Sequence, residues 1–188
     1  MEQSSIFEDY TTQPLASRLR PQSLDEYVGQ QHLLGQGKVL RRMIEQDQIS
    51  SMIFWGPPGV GKTTLAQIIA QMTKSVFITF SAVTSGIKEI RKVMEEAVNG
   101  ALLSRCKVFV LQPLATEDIQ RLLQHALTSS RGFGSQQIEM SDELLLLIAN
   151  FANGDARTAL STLEMVVLNG AVEEGRVKVT KEILEQCI

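Results

Sequence analysis

Ser51-Met52-Ile53-Phe54-Trp55-Gly56-Pro57-Pro58-Gly59-Val60-Gly61-Lys62-Thr63-Thr64 is the stretch that decides the fold. Its apolar opening, residues 51–55, stops at Gly and Pro, which reads as a buried strand running into a turn. Past the turn, Leu65, Ile68, Ile69 and Met72 recur at the spacing of one helical face, so Lys62 to Met72 reads as an amphipathic helix. Between strand and helix, Gly56 to Thr63 fits G-x-x-x-x-G-K-[ST]. Glycines let the backbone curl so that successive N–H groups face phosphate oxygens, and the helix N-terminus adds positive potential. The Lys62 ammonium is placed to reach the β and γ phosphates of ATP, and the Thr63 hydroxyl to hold Mg2+. Gly56, Pro57, Pro58, Gly59, Val60, Gly61, Lys62, Thr63 and Thr64 are therefore the candidate phosphate-binding residues.

Outward from this loop the pattern alternates. Residues 75–82 (SVFITFSA) read as a second strand and 86–97 as a helix with Ile87, Ile90 and Met94 on one face. Residues 107–111 (KVFVL) read as a third strand, ended by Gln112-Pro113. Upstream, Lys38 to Gln46 reads as a helix. After Pro113 the chain turns helical. Thr116 is positioned to cap one helix, with Glu117 and Asp118 at its positive end; Ser141 caps a second, Leu144 to Phe151; Asp155 starts a third; a fourth follows Thr180. The expected architecture is an α/β core with a parallel sheet, residues 14–113, followed by a small all-α lid, residues 114–188, with a loose polar tail over 1–13.

Composition narrows the classes. The chain has 188 residues, 44% apolar and 21% charged, with net charge −3. That excludes disorder throughout and excludes bulk basic charge as a means of holding nucleic acid. No apolar run approaches the length of a membrane span, and the N-terminus lacks a signal pattern. Two cysteines 81 residues apart, Cys106 and Cys187, fit a reduced compartment better than a disulfide scaffold or zinc site. His32 and His125 are isolated and read as structural or surface residues. The small basic clusters Lys38-Arg41-Arg42 and Lys88-Arg91-Lys92 read as solvated helix faces.

Four segments in order carry a resemblance: PLASRLRPQSLDEYVGQQHLLG from Pro14, the GPPGVGKTT loop, Ser104-Arg105-Cys106, and Gly154-Asp155-Ala156-Arg157. Together they resemble the clamp-loader-type AAA+ ATPases, and most closely the replication-associated recombination protein A family, from Pro14 to Gly170. A looser resemblance to replication factor C follows from the shared motifs. The resemblance implies that Tyr27, Val28 and Gly29 pack on the adenine, with Arg18 and Arg20 in the adjoining motif. It implies that Arg105 is an arginine finger serving the ATP of a neighbouring subunit, and that Arg157 is the sensor 2 arginine touching the γ-phosphate in cis. It further implies ATP hydrolysis, a homo-oligomer, DNA forks, ends and single strands and replication proteins as partners, and a cytoplasmic location.

One element of that family is missing from the sequence. A hydrolase of this type needs an apolar strand ending in Asp-Glu, the Walker B pair, and a polar sensor 1 at the tip of another. Here residues 52–55 end in Gly-Pro, 76–80 in Ser-Ala and 108–111 in Gln-Pro. Two further strands and three crossovers need roughly 40–46 residues. Only 24, residues 83–106, separate the second strand from the last. Both strands therefore read as excised near 97–101, and the family's C-terminal oligomerisation region lies beyond Ile188. Glu89, Glu95 and Glu96 alternate with Lys88, Arg91 and Lys92 as a salt-bridged face, not as replacement acids. Three functions stand at this point: an AAA+ ATPase of replication and stalled-fork maintenance, a non-hydrolysing nucleotide- or partner-binding module, and a small P-loop kinase. The position of the loop at residue 56 and the helices C-terminal to it disfavour the kinase.

Overall fold

The strand before the loop and the strand before Gln112 form side by side, because both are β-rich and share one register. A computed structural model describes residues 13–50, 52–73, 107–173 and 175–188. The strand and helix read at 75–82 and 86–97, together with Arg105 and Cys106, lie outside the described residues. Chain packing divides into two units. One gathers the described residues up to Gly29, Pro58–Gly61 and Pro113–Ile188; the other gathers Gln30–Pro57 and the described residues of Lys62–Gln112.

In the second unit, β1 (Met52–Trp55) pairs in parallel with β2 (Lys107–Val110), Met52 opposite Lys107 and Trp55 opposite Val110. Phe54 and Phe109 share one face, their ring centroids 6.0 Å apart. The other face carries Ile53, Trp55, Val108 and Val110, and all four are exposed, Ile53 by 47% and Trp55 by 69%. The sequence reads β1 as a buried strand; in the structure Met52 and Phe54 are half-buried, Ile53 and Trp55 are exposed, and none of the four is fully buried. A parallel strand is covered on both faces only when neighbours pack on both, and among the described residues β1 pairs with β2 alone. The helices α2 (Gln31–Leu34), α3 (Val39–Glu45) and α4 (Lys62–Met72) supply the buried Leu34, Leu40, Ile44, Leu65 and Ile68. Arg41 pairs with Glu45 one turn on at 2.7 Å, an i,i+4 pair. Gln30, in the left-handed conformation at φ 53°, closes this unit. Its amide donates to the Gln112 carbonyl at 2.7 Å and its side-chain oxygen accepts from the Gln112 N–H at 3.0 Å.

The first unit is built on the short helix α1 (Leu15–Arg18) and on α5 (Thr116–Thr128), α6 (Asp142–Phe151), α7 (Ala156–Leu168) and α8 (Lys181–Cys187). Their apolar stripes meet in one core, in which Leu15, Ile119, Leu123, Phe133, Ile148 and Leu163 are fully buried. Ser141 caps α6 by accepting from the Leu144 N–H, and Asp155 caps α7 by accepting from the Thr158 N–H at 2.9 Å. Thr116 does not cap α5. Ala115 holds the extended cap position, and the Thr116 hydroxyl, one residue inside the helix, lies 3.4 Å from the Asn150 amide oxygen. Glu117 and Asp118 do occupy the first turn. The region is also not wholly helical. The two-residue β3 (Ile138–Glu139) runs parallel to β5 (Arg176–Lys178), which pairs antiparallel with β4 (Ala171–Glu173). Val172 and Val177 pair in that ribbon, and runs this short carry too little period-2 pattern to be read from sequence.

Arg18 is spent on this core. Its guanidinium donates to the Arg131 and Gly132 carbonyls, at 3.1 and 3.2 Å, and lies 5.9 Å over the Phe133 ring. Glu164 meets it at 3.7 Å and also accepts from the Leu15 N–H at 2.9 Å.

Candidate nucleotide-binding site

Gly59 and Gly61 stand at φ +72° and +89°, a region in which any residue with a Cβ is strained. They turn the chain sharply between β1 and α4, as the motif requires. Gly56 is fixed by proximity instead: a side chain there would strike the Leu111 carbonyl.

Four of the loop's carbonyls are taken, those of Gly56, Pro57, Gly59 and Val60. Within the second unit, Lys62 folds back so that its ammonium donates to the Gly56 carbonyl at 2.9 Å and the Pro57 carbonyl at 2.6 Å. Both carbonyls precede prolines, so neither peptide group has an N–H of its own to offer. Within the first unit, the Gly59 carbonyl accepts from the Ala156 N–H at 3.3 Å, and the Val60 carbonyl accepts from the Tyr27 hydroxyl at 3.0 Å. By contrast, the N–H groups of Gly59, Val60 and Gly61 find no acceptor among the described residues. Consecutive backbone donors without partners are what an anion-binding loop presents.

Tyr27 is buried, its ring against Gly61, and burial pushes its phenol well above the ordinary range, so the hydroxyl stays a donor. Val28 is half-buried, and Gly29, at φ +80°, lies against Leu114. Val60 is buried, whereas Thr63 is exposed and Thr64 half-buried at the start of α4. In the first unit the Asp155 carboxylate lies directly against Gly59. Arg157, two residues on in the first turn of α7, is exposed and makes no ion pair or side-chain hydrogen bond among the described residues. Arg105 lies outside the described residues.

Two residues of structural weight here went unmarked as site residues in the sequence. Gln30 was signalled only as one residue inside a resembling segment, and Asp155 only as a helix start. No cluster of three or more His, Cys, Asp or Glu among the described residues forms a metal site by itself. No described helix is long and apolar enough to cross a membrane.

The fold and loop define a P-loop ATPase-type domain. A family model for the Holliday junction DNA helicase RuvB P-loop domain matches residues 19–128, and one for an AAA C-terminal domain matches 134–188. The chain belongs to this RuvB-type P-loop family, with an AAA-type C-terminal domain following it. It is 40% identical to replication-associated recombination protein A of Escherichia coli (strain K12), over 93% of this chain and 51% of that one. It is 28% identical to ATPase WRNIP1 of Dictyostelium discoideum, over 82% of this chain and 23% of that one. The chain thus spans about half the length of the first of these relatives, 51%. The Thermotoga maritima RuvB Holliday junction branch migration motor shares the fold, with TM-score 0.65 at 18% identity over 90% of this chain and 72% of that one.

These alignments are longer than the chain. The Escherichia coli relative aligns over 226 positions, yet 93% of 188 residues is about 175, so about 50 aligned positions have no counterpart here. The Dictyostelium relative gives the same figure: 204 positions against about 154 residues leaves about 50.

Proposed function

We propose that this chain binds ATP with Mg2+ at the loop Gly56 to Thr64 and serves as the nucleotide-binding part of an AAA+ ATPase of DNA replication and recombination. The observation that carries this reading is the asymmetry of the loop. The carbonyls of residues 56, 57, 59 and 60 are occupied, while the N–H groups of 59, 60 and 61 face no protein acceptor among the described residues. A phosphate chain supplies the missing acceptors. Bound ATP would bring the γ-phosphoryl group whose transfer to water is the family's chemistry. Lys62 would exchange the Gly56 and Pro57 carbonyls for phosphate oxygens. Thr63, exposed at the start of α4, would give Mg2+ one hydroxyl, the rest of the octahedron coming from phosphate and water.

The remaining roles come with the family. Tyr27, Val28 and Gly29 form the adenine side, and Arg157 meets the γ-phosphate in cis. Arg105 serves a neighbouring copy in a homo-oligomer, at 10³ or more in rate where such fingers have been measured. The division into a core over 14–113 and a lid over 114–188, DNA and replication proteins as partners, and a cytoplasmic setting belong to the same reading. Calorimetric titration tests its base: ATP·Mg2+ binds the wild-type chain, and Lys62→Ala weakens binding at least ~10-fold by removing a charge-assisted contact. Absence of ATP binding by folded wild-type chain refutes the reading.

A second reading takes its support from the sequence: a chain that binds nucleotide without turning it over, because none of the apolar runs 52–55, 76–80 and 108–111 ends in Asp-Glu.

A further inference from the structure

We infer that Tyr27 is a positioning residue for the phosphate end of the nucleotide: its hydroxyl, with the first N–H of α7, turns two loop peptides so that the Val60 and Gly61 N–H groups face the phosphates. The inference rests on the nucleotide-binding reading above and adds to it a role that adenine packing does not contain.

The argument is geometric. No described peptide bond is cis. In a trans peptide the C=O and the following N–H point in opposite directions across a rigid plane. Holding a carbonyl on one side therefore aims the next N–H to the other. The Tyr27 hydroxyl holds the Val60 carbonyl at 3.0 Å, which aims the Gly61 N–H. The Ala156 N–H holds the Gly59 carbonyl at 3.3 Å, which aims the Val60 N–H. These are two of the three loop donors that lack an acceptor among the described residues. Tyr27 is itself well held: it is buried, its ring fills the space beside Gly61, and its own N–H donates to the Leu24 carbonyl at 3.2 Å. A free loop would have to order these peptides when phosphate arrives, and ordering costs entropy that this arrangement has already met.

Tyr27→Phe separates the two roles, because it keeps the ring and removes only the hydroxyl. Magnesium tripolyphosphate probes the phosphate end, adenosine the base end. Tripolyphosphate is expected to bind Tyr27→Phe about 3- to 10-fold more weakly than wild type, the scale of one misaligned hydrogen bond. The Gly61 amide signal should shift in NMR spectra of the free protein, and adenosine affinity should change less than tripolyphosphate affinity. Ala156→Pro is the second variant, and serves alone if Tyr27→Phe does not fold. Proline is tolerated at the first position of a helix, and Asp155 already has the extended backbone that a following proline needs (φ −98°, ψ 106°). It deletes the N–H on the Gly59 carbonyl and should weaken tripolyphosphate to a similar degree. Wild-type affinity for tripolyphosphate in the folded variants overturns the inference while leaving the nucleotide reading in place. A folded wild-type chain that binds neither ATP nor tripolyphosphate overturns both.

Discussion

Asp155 holds its carboxylate in the space that a side chain on Gly59 would need. Gly59 is thus required twice, by its φ of +72° and by its neighbour. Gly59→Ala should cost about 1–2 kcal/mol for the left-handed backbone alone, with a further cost for displacing Asp155. That displacement also loosens the α7 cap, in which Asp155 accepts from the Thr158 N–H, a contact worth about 1 kcal/mol. Asp155→Ala clears the space in advance. In a double-mutant cycle followed by urea melts, the two changes should fall short of additive by at least ~0.5 kcal/mol. Strict additivity would mean that carboxylate and loop do not meet.

Arg157 offers the opposite profile, a residue whose loss should be felt only by ligand. It is exposed and has no polar side-chain partner among the described residues, so Arg157→Ala should shift stability by no more than about 0.5 kcal/mol. If it reads the γ-phosphate, the same change should narrow the gap between ATP and ADP affinity by several-fold, with ADP affinity held. A matched loss for both nucleotides would remove Arg157 from the γ-phosphate.

Much of this was legible in the sequence because period and punctuation agree there. The β1–loop–α4 unit could be read to within a residue: an apolar run, a Gly-Pro stop and a 3.6-period stripe all point one way. Ser141 was legible as a cap, and Asp155 as a helix start, for the same reason. Thr116 misled because Ala115, with no capping side chain, takes the extended position before α5, a tertiary choice that propensity does not carry. Burial of β1 misled because apolar content shows what a strand would bury and not what covers it. In the site, the motif identified the loop residues. The hydroxyl of Tyr27 on the Val60 carbonyl, 33 residues away, was beyond any local pattern, as was the carboxylate of Asp155 on Gly59.

The Glu26–Arg131 pair gives the first unit a small pH dependence with a defined sign. The hydrogen bond from Arg131 at 2.7 Å, with a second from the Gln22 N–H, holds the Glu26 carboxyl below its ordinary 4.5. A lowered folded-state value stabilises above the unfolded pKa, and the contribution fades as pH falls through the folded one. Glu26→Gln should therefore cost more at pH 7 than at pH 3. The side chain is 41% exposed, so screening limits the loss to about 0.5 kcal/mol, smaller still in high salt. Urea melts of both proteins at the two pH values provide the check.

Phe133 anchors the first unit from a turn, not from a helix. It is fully buried, its N–H donates to the Ala126 carbonyl at 2.8 Å, and Arg18 lies over its ring. Phe133→Ala should cost about 3–5 kcal/mol through lost burial and the cavity left behind. Phe133→Leu should retain most of that, because a branched aliphatic side chain refills much of the volume. Thermal melts that rank Leu with Ala would show that Arg18 over the ring, not volume, is what the position supplies.

Turnover by the chain itself decides between the two functional readings. About 50 aligned positions of its relatives have no counterpart here, and none of the apolar runs 52–55, 76–80 and 108–111 ends in Asp-Glu, of which the Glu would polarise the attacking water. Positioning of phosphate by the loop survives that loss, whereas activation of water does not. The expected result is ATP binding with phosphate release no faster than with Lys62→Ala, alone or with forked DNA present. Mixed with a full-length relative, a chain that binds without hydrolysing should lower that partner's ATPase rate if it enters the same assembly. Steady release by the wild-type chain, abolished by Lys62→Ala, would mean that another acid supplies the water-activating step, and would return the chain to the class of working ATPases.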